Sequence, residues 1–105
     1  FDVTILGMGC DGHTASFFPG GDTLAEVLDP KGAASILEIS APGSGEPRLT
    51  FTLPMLLNAS HILLHIEGPD KRATLDKALG EGPIEDMPIR AVLRSAVPVT
   101  LYWCR

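Results

Sequence analysis

Long apolar runs are missing from this sequence of 105 residues, and so are tracts dominated by one residue type. A helix that crosses a bilayer needs about 20 consecutive apolar residues, and the longest apolar stretches here are far shorter. No Gln-rich, Ser-rich or collagen-like segment interrupts the chain. These absences exclude a membrane partner and a low-complexity protein, and they predict an ordinary globular chain.

Basic residues are few and scattered. Lysine and arginine together number 8 against 13 acidic residues, which gives a net charge of -5. A surface that follows a nucleic-acid backbone needs a stripe of positive charge, and no such stripe is present. Nucleic acid is therefore excluded as a partner.

Cysteine is scarce, since only Cys10 and Cys104 are present and they form no Cys-x-x-Cys pattern. A secreted domain of this size usually carries a regular set of paired cysteines. We therefore expect two free thiols and a reducing compartment, the cytoplasm.

A chain of this length forms one domain with a modest core, or part of one. It begins at Phe1 rather than Met, and strand-like runs stand at both of its ends. Natural domains usually have some slack at their termini. We interpret residues 1–105 as a single domain or as a piece of a longer protein.

Apolar patterning predicts strands and helices that alternate along the chain. Strands are predicted at "VTIL", "ASILEIS", "RLTFTL", "HILLHIE" and "PVTLYWC", the first as a parallel strand covered on both faces. Helices are predicted at "DGHTASFF", after Thr23, from Pro54, over "GPDKRATLDKALGEG" and at "MPIRAVLRSA". In the second of these, Glu26 completes a capping box with Thr23. In the fourth, Gly80 is the expected C-cap, and the inward residues are Ala73, Leu75, Ala78 and Leu79. The alternation predicts an α/β fold with a largely parallel sheet.

The glycine-rich stretch "GMGCDGHTASFFP" follows the first predicted strand and matches the spacing G-x-G-x-x-G. A dinucleotide fingerprint opens a long helix, and an acidic residue follows about 20 positions later at the end of the next strand. Here Pro19 arrives within two turns, and no strand ends near position 30. A nicotinamide or flavin cofactor is therefore not expected.

A metal site is the second reading of this loop, because Cys10, Asp11 and His13 lie close together. His61 and His65 would share one face of a strand, but about 13 Å apart. No second Cys/His pair has the spacing of a zinc site. We expect no metal, and we interpret His61 and His65 as structural.

Two readings of the loop remain open on these grounds. "DG" is a common turn, and the histidine after it can be a plain surface residue. Alternatively, open α/β sheets bind ligands at the carboxyl ends of their strands, where an imidazole is suited to take a proton from water. A helix over "TASFF" would then point its N-terminal N–H groups at an anion.

Residues 7–20, "GMGCDGHTASFFPG", resemble the signature of the 6-phosphogluconolactonases, which runs close to G-M-G-x-D-G-H-T-A-S-L-F-P-G. Phe17 stands where the family usually has Leu, and Cys10 stands at a variable position. The segments "RLTFTLPMLLNASHILLHIEGPDK", "MPIRAVL" and "PVTLYWC" resemble later blocks of the family in the same order. The resemblance therefore spans almost the whole chain.

This resemblance implies a Rossmann-like α/β sheet flanked by helices, of the isomerase and lactonase type. It implies hydrolysis of the phosphorylated sugar lactone 6-phospho-D-glucono-1,5-lactone, with no organic cofactor and no catalytic metal. Glucosamine-6-phosphate deaminases share the Gly-x-Asp-Gly-His core but usually continue Ile-Ala-Phe-Asn-Glu-Pro, whereas this chain continues Thr-Ala-Ser-Phe-Phe-Pro. A deaminase-like enzyme and a non-catalytic domain that binds a sugar phosphate remain the alternatives.

Within the resemblance, His13 corresponds to the general base, and Asp11 would orient it or cap the short helix. Gly7, Gly9 and Gly12 would leave the backbone bare for substrate and supply N–H donors. Thr14 belongs to the same substrate-binding loop.

Arg48 and Lys71 would hold the phosphate, because a guanidinium binds two phosphate oxygens and an ammonium adds a point charge. Arg72, next to Lys71, competes for the second position. Cys10 should be dispensable, since hydrolysis by water needs no thiol.

The family pattern is longer than this chain. Lactonases of this kind are about twice as long, and the first half of their chain carries a segment near "SGGxTP" and another near "DER", neither of which occurs here. The resemblance thus implies that residues 1–105 are the C-terminal half of a larger α/β domain. We expect an exposed strand edge, and self-association or pairing with the first half.

Overall fold

The computed structural model describes residues 2–42 and 44–105, and strands and helices largely follow the predicted order. The elements are β1 (Val3–Leu6), α1 (Leu24–Leu28), β2 (Ile36–Ile39), β3 (Arg48–Phe51), α2 (Leu53–Leu57), β4 (His61–Glu67), α3 (Pro69–Ala78), α4 (Ile89–Leu93) and β5 (Val99–Cys104). None of the helices in the described ranges has the length and apolar content needed to cross a membrane.

The main sheet is parallel and has the order β1-β4-β5, with β4 at its centre. Val3 pairs with His61 on one side of β4, and Ile62 pairs with Val99 on the other. Strands β2 and β3 form a separate antiparallel hairpin. The predicted α/β fold with a parallel sheet flanked by helices is therefore confirmed, and the hairpin is an antiparallel addition to it.

One face of the main sheet carries the core. The side chains of Leu6, Ile62, Leu64 and Ile66 are buried there together with Leu75 of α3 and Ile89 and Val92 of α4. Thr4 on the same face is also buried, and its hydroxyl donates a hydrogen bond to the carbonyl oxygen of Leu56. The core thus fixes the carboxyl ends of β1 and β4, where the loop that carries His13 and helix α3 begin.

The described residues cover only one face of the main sheet, so the second cover predicted for β1 is not supplied by them. Ile5 is 71% exposed, and Val3 and Tyr102 are also exposed. The strand pairing places nine side chains on this side, which we call the open face: Val3, Ile5, His61, Leu63, His65, Glu67, Thr100, Tyr102 and Cys104.

On β3 the threonine side faces inward, whereas β2 turns the apolar Ile39 to the same side. Thr50 and Thr52 are buried, whereas Leu49 of the alternating pattern is 75% exposed. The hydroxyl of Thr52 donates to the carbonyl oxygen of Ala34, and the hydroxyl of Thr50 donates to the carbonyl oxygen of Phe51. Because these hydroxyls have partners, they can be buried at little cost.

The predicted helix over "DGHTASFF" is wrong. Residues 11–18 form turns, with an isolated bridge between Thr14 and Phe17. Gly12 has φ +85° and Ala15 has φ +49°, and neither value fits a right-handed helix. The reading of a helix N-terminus pointed at an anion is therefore also wrong.

Two helix details differ from prediction. The hydroxyl of Thr23 donates to the carbonyl oxygen of Glu38 at 2.6 Å and does not cap α1, so no capping box forms. In α3, Leu75 and Ala78 are buried as predicted, but Ala73 and Leu79 are exposed. The helix ends at Ala78, with Leu79 rather than Gly80 as its C-cap.

Candidate active site

The histidine loop, residues 7–19, is a compact turn at the carboxyl end of β1. The N–H of Gly9 donates to the carbonyl oxygen of His13 at 2.9 Å, and the N–H of Gly12 donates to that of Gly9 at 3.0 Å. The hydroxyl of the buried Thr14 donates to the carbonyl oxygen of Gly7 at 2.7 Å. These bonds hold the backbone on both sides of His13.

The imidazole of His13 is held by Asp11. Oδ1 of Asp11 accepts a hydrogen bond from the backbone N–H of His13 at 3.0 Å and lies 2.6 Å from Nδ1 of the ring. An ionised carboxylate only accepts, so Nδ1 carries the proton and Nε2 is left basic. Asp11 therefore orients the ring, whereas its predicted alternative role as a helix cap has no helix to serve.

The pKa of the Asp11 carboxyl is lowered from its ordinary value. Partial burial acts in the opposite direction and raises this pKa. The hydrogen bonds from the backbone and ring of His13, together with the charge of the ring, outweigh burial because they stabilise the ionised carboxylate. Asp11 is therefore charged at neutral pH and fixes the tautomer of His13.

Gly9 makes room for the histidine ring. A Cβ at Gly9 would lie 2.2 Å from Cε1 and 2.3 Å from Nδ1 of His13. The ring thus packs directly on the backbone of the loop, which no residue with a side chain permits. Gly9 is predicted to leave space for substrate. In the structure, the His13 ring fills the space beside this glycine.

Gly12 anchors the loop to the segment before α4. Its φ of +85° is in the left-handed region, and a Cβ would lie 2.8 Å from Cβ of the buried Met87. Its carbonyl oxygen accepts a hydrogen bond from the N–H of Ile89 at 2.9 Å. Gly12 is therefore buried on the side of the loop that packs against Met87 and Ile89.

A cleft of about 360 Å³ opens in front of the loop. Its lining consists of Gly7, Met8, Gly9, His13, Thr14, Ala15 and Lys71. Lys71 reaches it from the first turn of α3, which follows the carboxyl end of β4. The structure thus brings His13 together with one of the two cations predicted for phosphate binding.

Arg48 lies at the edge of this arrangement, on β3 of the hairpin. Its guanidinium carbon is 6.0 Å from the ring centroid of Phe18, and the Phe18 ring is in turn 4.6 Å from that of His13. Arg48 is exposed and also donates to the carbonyl oxygen of Ser44. It does not line the cleft directly, and Phe18 connects it to the histidine.

Arg72 is engaged elsewhere. Its Nε lies 3.4 Å from Oδ1 of Asp76, and its guanidinium carbon lies 5.9 Å from the ring centroid of Trp103. Between the two neighbouring cations of α3, Lys71 is the one that faces the cleft.

Sequence reasoning missed Phe18 and Arg90. Phe18 was an unassigned aromatic residue, yet it is buried beneath the His13 ring. Arg90 is buried and donates to the carbonyl oxygens of Lys77, Ala78, Glu81 and Pro83, at the C-terminus of α3 and in the loop beyond it. Nothing in the sequence distinguishes Arg90 from a surface arginine.

The remaining histidines and both thiols lie outside this cleft. Nε2 of His61 lies 2.6 Å from the hydroxyl oxygen of Thr100, and His65 is exposed on the open face. Cys10 and Cys104 are free, as predicted, and both are exposed.

Comparison with known proteins places this loop in context. The family model of glucosamine-6-phosphate isomerases/6-phosphogluconolactonase matches residues 1–103. A 6-phosphogluconolactonase of Mesorhizobium japonicum is 55% identical over 103 residues, which are 97% of this chain and 42% of that protein. One of Rhizobium meliloti is 52% identical over 103 residues, 97% of this chain and 44% of that protein.

The likeness extends to three dimensions. The crystal structure of a 6-phosphogluconolactonase from Shewanella baltica superposes with a TM-score of 0.94 at 36% identity, over 100% of this chain and 45% of that one. The chain therefore spans less than half the length of these relatives. With the family model matching nearly every residue, the chain belongs to the family of glucosamine-6-phosphate isomerases and 6-phosphogluconolactonases.

Proposed function

We propose that the complete protein hydrolyses 6-phospho-D-glucono-1,5-lactone to 6-phosphogluconate, with His13 as general base. The observation that carries the proposal is the Asp11–His13 pair, with Nδ1 held at 2.6 Å and the ring lining an open cleft. Two relatives more than 50% identical to this chain bear the name 6-phosphogluconolactonase.

The chemistry needs one group that accepts and then returns a proton. Nε2 of His13 takes a proton from water as its oxygen attacks the lactone carbonyl carbon. The tetrahedral intermediate then collapses, the bond between that carbon and the ring oxygen breaks, and Nε2 gives its proton to the ring oxygen. Asp11 stabilises the imidazolium that exists between the two steps.

The substrate's phosphate is bound by positive charge at the rim of the cleft. Lys71 lines the cleft, and Arg48 approaches it over the ring of Phe18. An ammonium and a guanidinium both suit a phosphate dianion. The N–H groups of Gly9 and Gly12 bond carbonyl oxygens within the loop, so they are not the predicted donors to the developing oxyanion.

His13→Ala in the complete protein tests the general base. We expect the rate of lactone hydrolysis to fall about 100-fold or more, because general base catalysis contributes factors of that order. Lys31→Ala, at an exposed position after α1 and outside the cleft, is the control. A His13→Ala rate close to wild type would remove His13 from the mechanism.

Lys71→Ala and Arg48→Ala test the phosphate clamp. Both should raise KM for the lactone much more than they lower kcat, because phosphate binding contributes to the ground state and the transition state alike. Lys31→Ala, in the exposed segment after α1, is the control. An unchanged KM in both variants would contradict the assignment.

The glucosamine-6-phosphate deaminase reaction is the second candidate within the family. The motif favours the lactonase, because Thr14 to Pro19 read Thr-Ala-Ser-Phe-Phe-Pro. Release of ammonia from glucosamine-6-phosphate, with no hydrolysis of the lactone, would reverse the choice. Tight binding of either sugar phosphate without turnover would favour the non-catalytic domain.

We propose further that the open face and the free edge of β1 pair with the part of the relatives that this chain does not cover. In the described sheet β1 is an edge strand, and Ile5 beside it is 71% exposed. This chain alone should then be weakly active and should self-associate. The free thiols suit a reducing compartment such as the cytoplasm.

Mixing this chain with a separately expressed first half of the protein tests the pairing. Size-exclusion chromatography should show a complex, with recovery of lactone hydrolysis. Ile5→Ser should weaken the complex, whereas Leu79→Ser, exposed at the end of α3, should leave it intact. Full activity of this chain as a monomer would contradict the proposal.

A further inference from the structure

Two neighbouring phenylalanines are both buried, but they pack in different places. Phe17 is fully buried and belongs to the main hydrophobic core. Phe18 is 6% exposed and lies outside that core as the described residues form it. Its ring centroid is instead 4.6 Å from that of His13, with the two ring planes inclined by 33°. An aromatic side chain that is buried outside the core, against the proposed base, is placed to act on that base.

The backbone explains why Phe18, and not Phe17, meets the histidine. Thr14 and Phe17 form an antiparallel bridge, in which the N–H of Phe17 donates to the carbonyl oxygen of Thr14 at 2.9 Å. Ala15, with φ +49°, reverses the chain between them. Thr14 and Phe17 are both buried, and side chains alternate along an extended backbone. The next residues outward, His13 and Phe18, therefore point to the other side and face each other.

The backbone of Phe18 is itself fixed on both sides. Its N–H donates to the carbonyl oxygen of Ser16 at 3.0 Å, and its carbonyl oxygen accepts a hydrogen bond from the N–H of Gly21 at 3.0 Å. The described residues alone already bury the side chain. The contact with His13 therefore does not depend on what covers the open face of the sheet.

We propose that Phe18 is a positioning residue, which holds the imidazole of His13 in the orientation that the hydrolysis needs. The inference rests on the function proposed above, in which Nε2 of His13 accepts and returns a proton. Phe18 does not line the described cleft, so it acts through His13 and not on the substrate. Aromatic rings attract each other at centroid distances of about 4.5–7 Å, and the observed pair lies within that range.

The hydrogen bond to Asp11 does not fix the ring by itself. A bond to Nδ1 alone still lets the imidazole tilt about that contact, and a tilt moves Nε2 on the far side of the ring. The backbone at Gly9 and the ring of Phe18 both touch the imidazole and restrict this tilt. A reacting group that is displaced by about 1 Å can lose 100-fold in rate, so a small gain in order has a large effect.

Phe18→Leu in the complete protein tests the role, with Phe17→Leu as the matched control. Both variants remove the same atoms from a buried position, but only the first removes the ring beside His13. Phe18→Leu should lower kcat for the lactone about 10-fold or more. Its KM should rise at most about threefold, since Arg48 is 6.0 Å from the Phe18 centroid, the outer limit of a cation–π contact. Phe17→Leu should leave both constants close to wild type.

The imidazole nitrogen shifts of His13, measured by NMR on the complete protein, give a second readout that needs no turnover. In Phe18→Leu they should move toward those of a free imidazole, because the ring is held less firmly against Asp11. In Phe17→Leu they should stay at the wild-type values, since a loss of stability alone leaves the native ring in place. Far-ultraviolet circular dichroism checks that both variants fold. If Phe18→Leu does not fold, Phe18→Met, with its flexible side chain, replaces it and should show the same changes.

The outcomes separate this inference from the proposed function. A wild-type protein that does not hydrolyse the lactone overturns the proposed function, and the role of Phe18 with it. An active wild type with equal kcat in Phe18→Leu and Phe17→Leu overturns only the role of Phe18. A lowered kcat in Phe18→Leu with unchanged imidazole shifts overturns it as well, because the loss would then not pass through His13.

Discussion

The imidazole of His13 occupies the space that a side chain on Gly9 would need, with Cε1 only 2.2 Å from the position of a Cβ there. The same ring is bound through Nδ1 to Asp11 at 2.6 Å. The position of the proposed base is thus set from two sides, by a bare backbone and by a carboxylate.

Gly9→Ala should displace the His13 ring, since the added methyl overlaps it. We expect the Nδ1 contact with Asp11 to break, with a clear change in the imidazole nitrogen shifts measured by NMR. Gly7→Ala is the control, because a Cβ there meets only the carbonyl oxygen of His65 at 3.9 Å. Unchanged imidazole shifts in Gly9→Ala would contradict the packing.

Asp11→Asn should lower kcat of the complete enzyme about 10- to 1,000-fold with little change in KM. The amide can donate to Nδ1 and so favours the wrong tautomer, an effect that is large in comparable catalytic pairs. Asp2→Asn, before β1 at the other end of the strand, should leave kcat unchanged. Equal rates for both variants would argue against a role for the pair.

The stability of the chain should depend on Asp11 in a defined pH window. The folded-state pKa of Asp11 is lowered, so its ionised form favours the folded state above pH ~4. That contribution is lost as the pH falls through the lowered pKa. In urea unfolding, the difference between wild type and Asp11→Asn should therefore shrink on acidification, and a constant difference would count against the linkage.

Gly12→Ala should lower the free energy of unfolding by about 2–4 kcal/mol. About 1–2 kcal/mol comes from the left-handed backbone and the rest from overlap with Met87. Gly45→Ala isolates the first cost, since Gly45 has φ +74° and nothing within 4 Å of a Cβ. Equal losses in the two variants would mean that the Met87 contact carries no cost.

Arg90→Met should destabilise the chain by about 3 kcal/mol, because four carbonyl oxygens lose a charged donor. Arg94→Met is the control, since Arg94 is exposed and makes one such bond at 3.3 Å. In denaturant unfolding, Arg94→Met should lower the free energy of unfolding by no more than about 0.5 kcal/mol. A small loss for Arg90→Met would show that water replaces the guanidinium.

Apolar patterning predicted the strands and most of the helices, because each needs an apolar side to bury. It failed at residues 11–18, where the apolar letters of "TASFF" suggested a helix. Positive φ at Gly12 and Ala15 turns that segment instead, so that Phe18 packs under His13. Nor does the alternation in β3 show which side faces inward: Thr50, whose hydroxyl has a partner, is buried and Leu49 is exposed.

By itself, the sequence determined the order of the elements, the loop that carries His13 and the family to which the chain belongs, since these depend on local pattern and on the motif. Only the tertiary structure decided which cation faces the cleft, why Gly9 has no side chain, and that Phe18 rather than Phe17 meets His13. Those relationships join residues distant in sequence or depend on backbone dihedrals and packing, which periodicity does not encode.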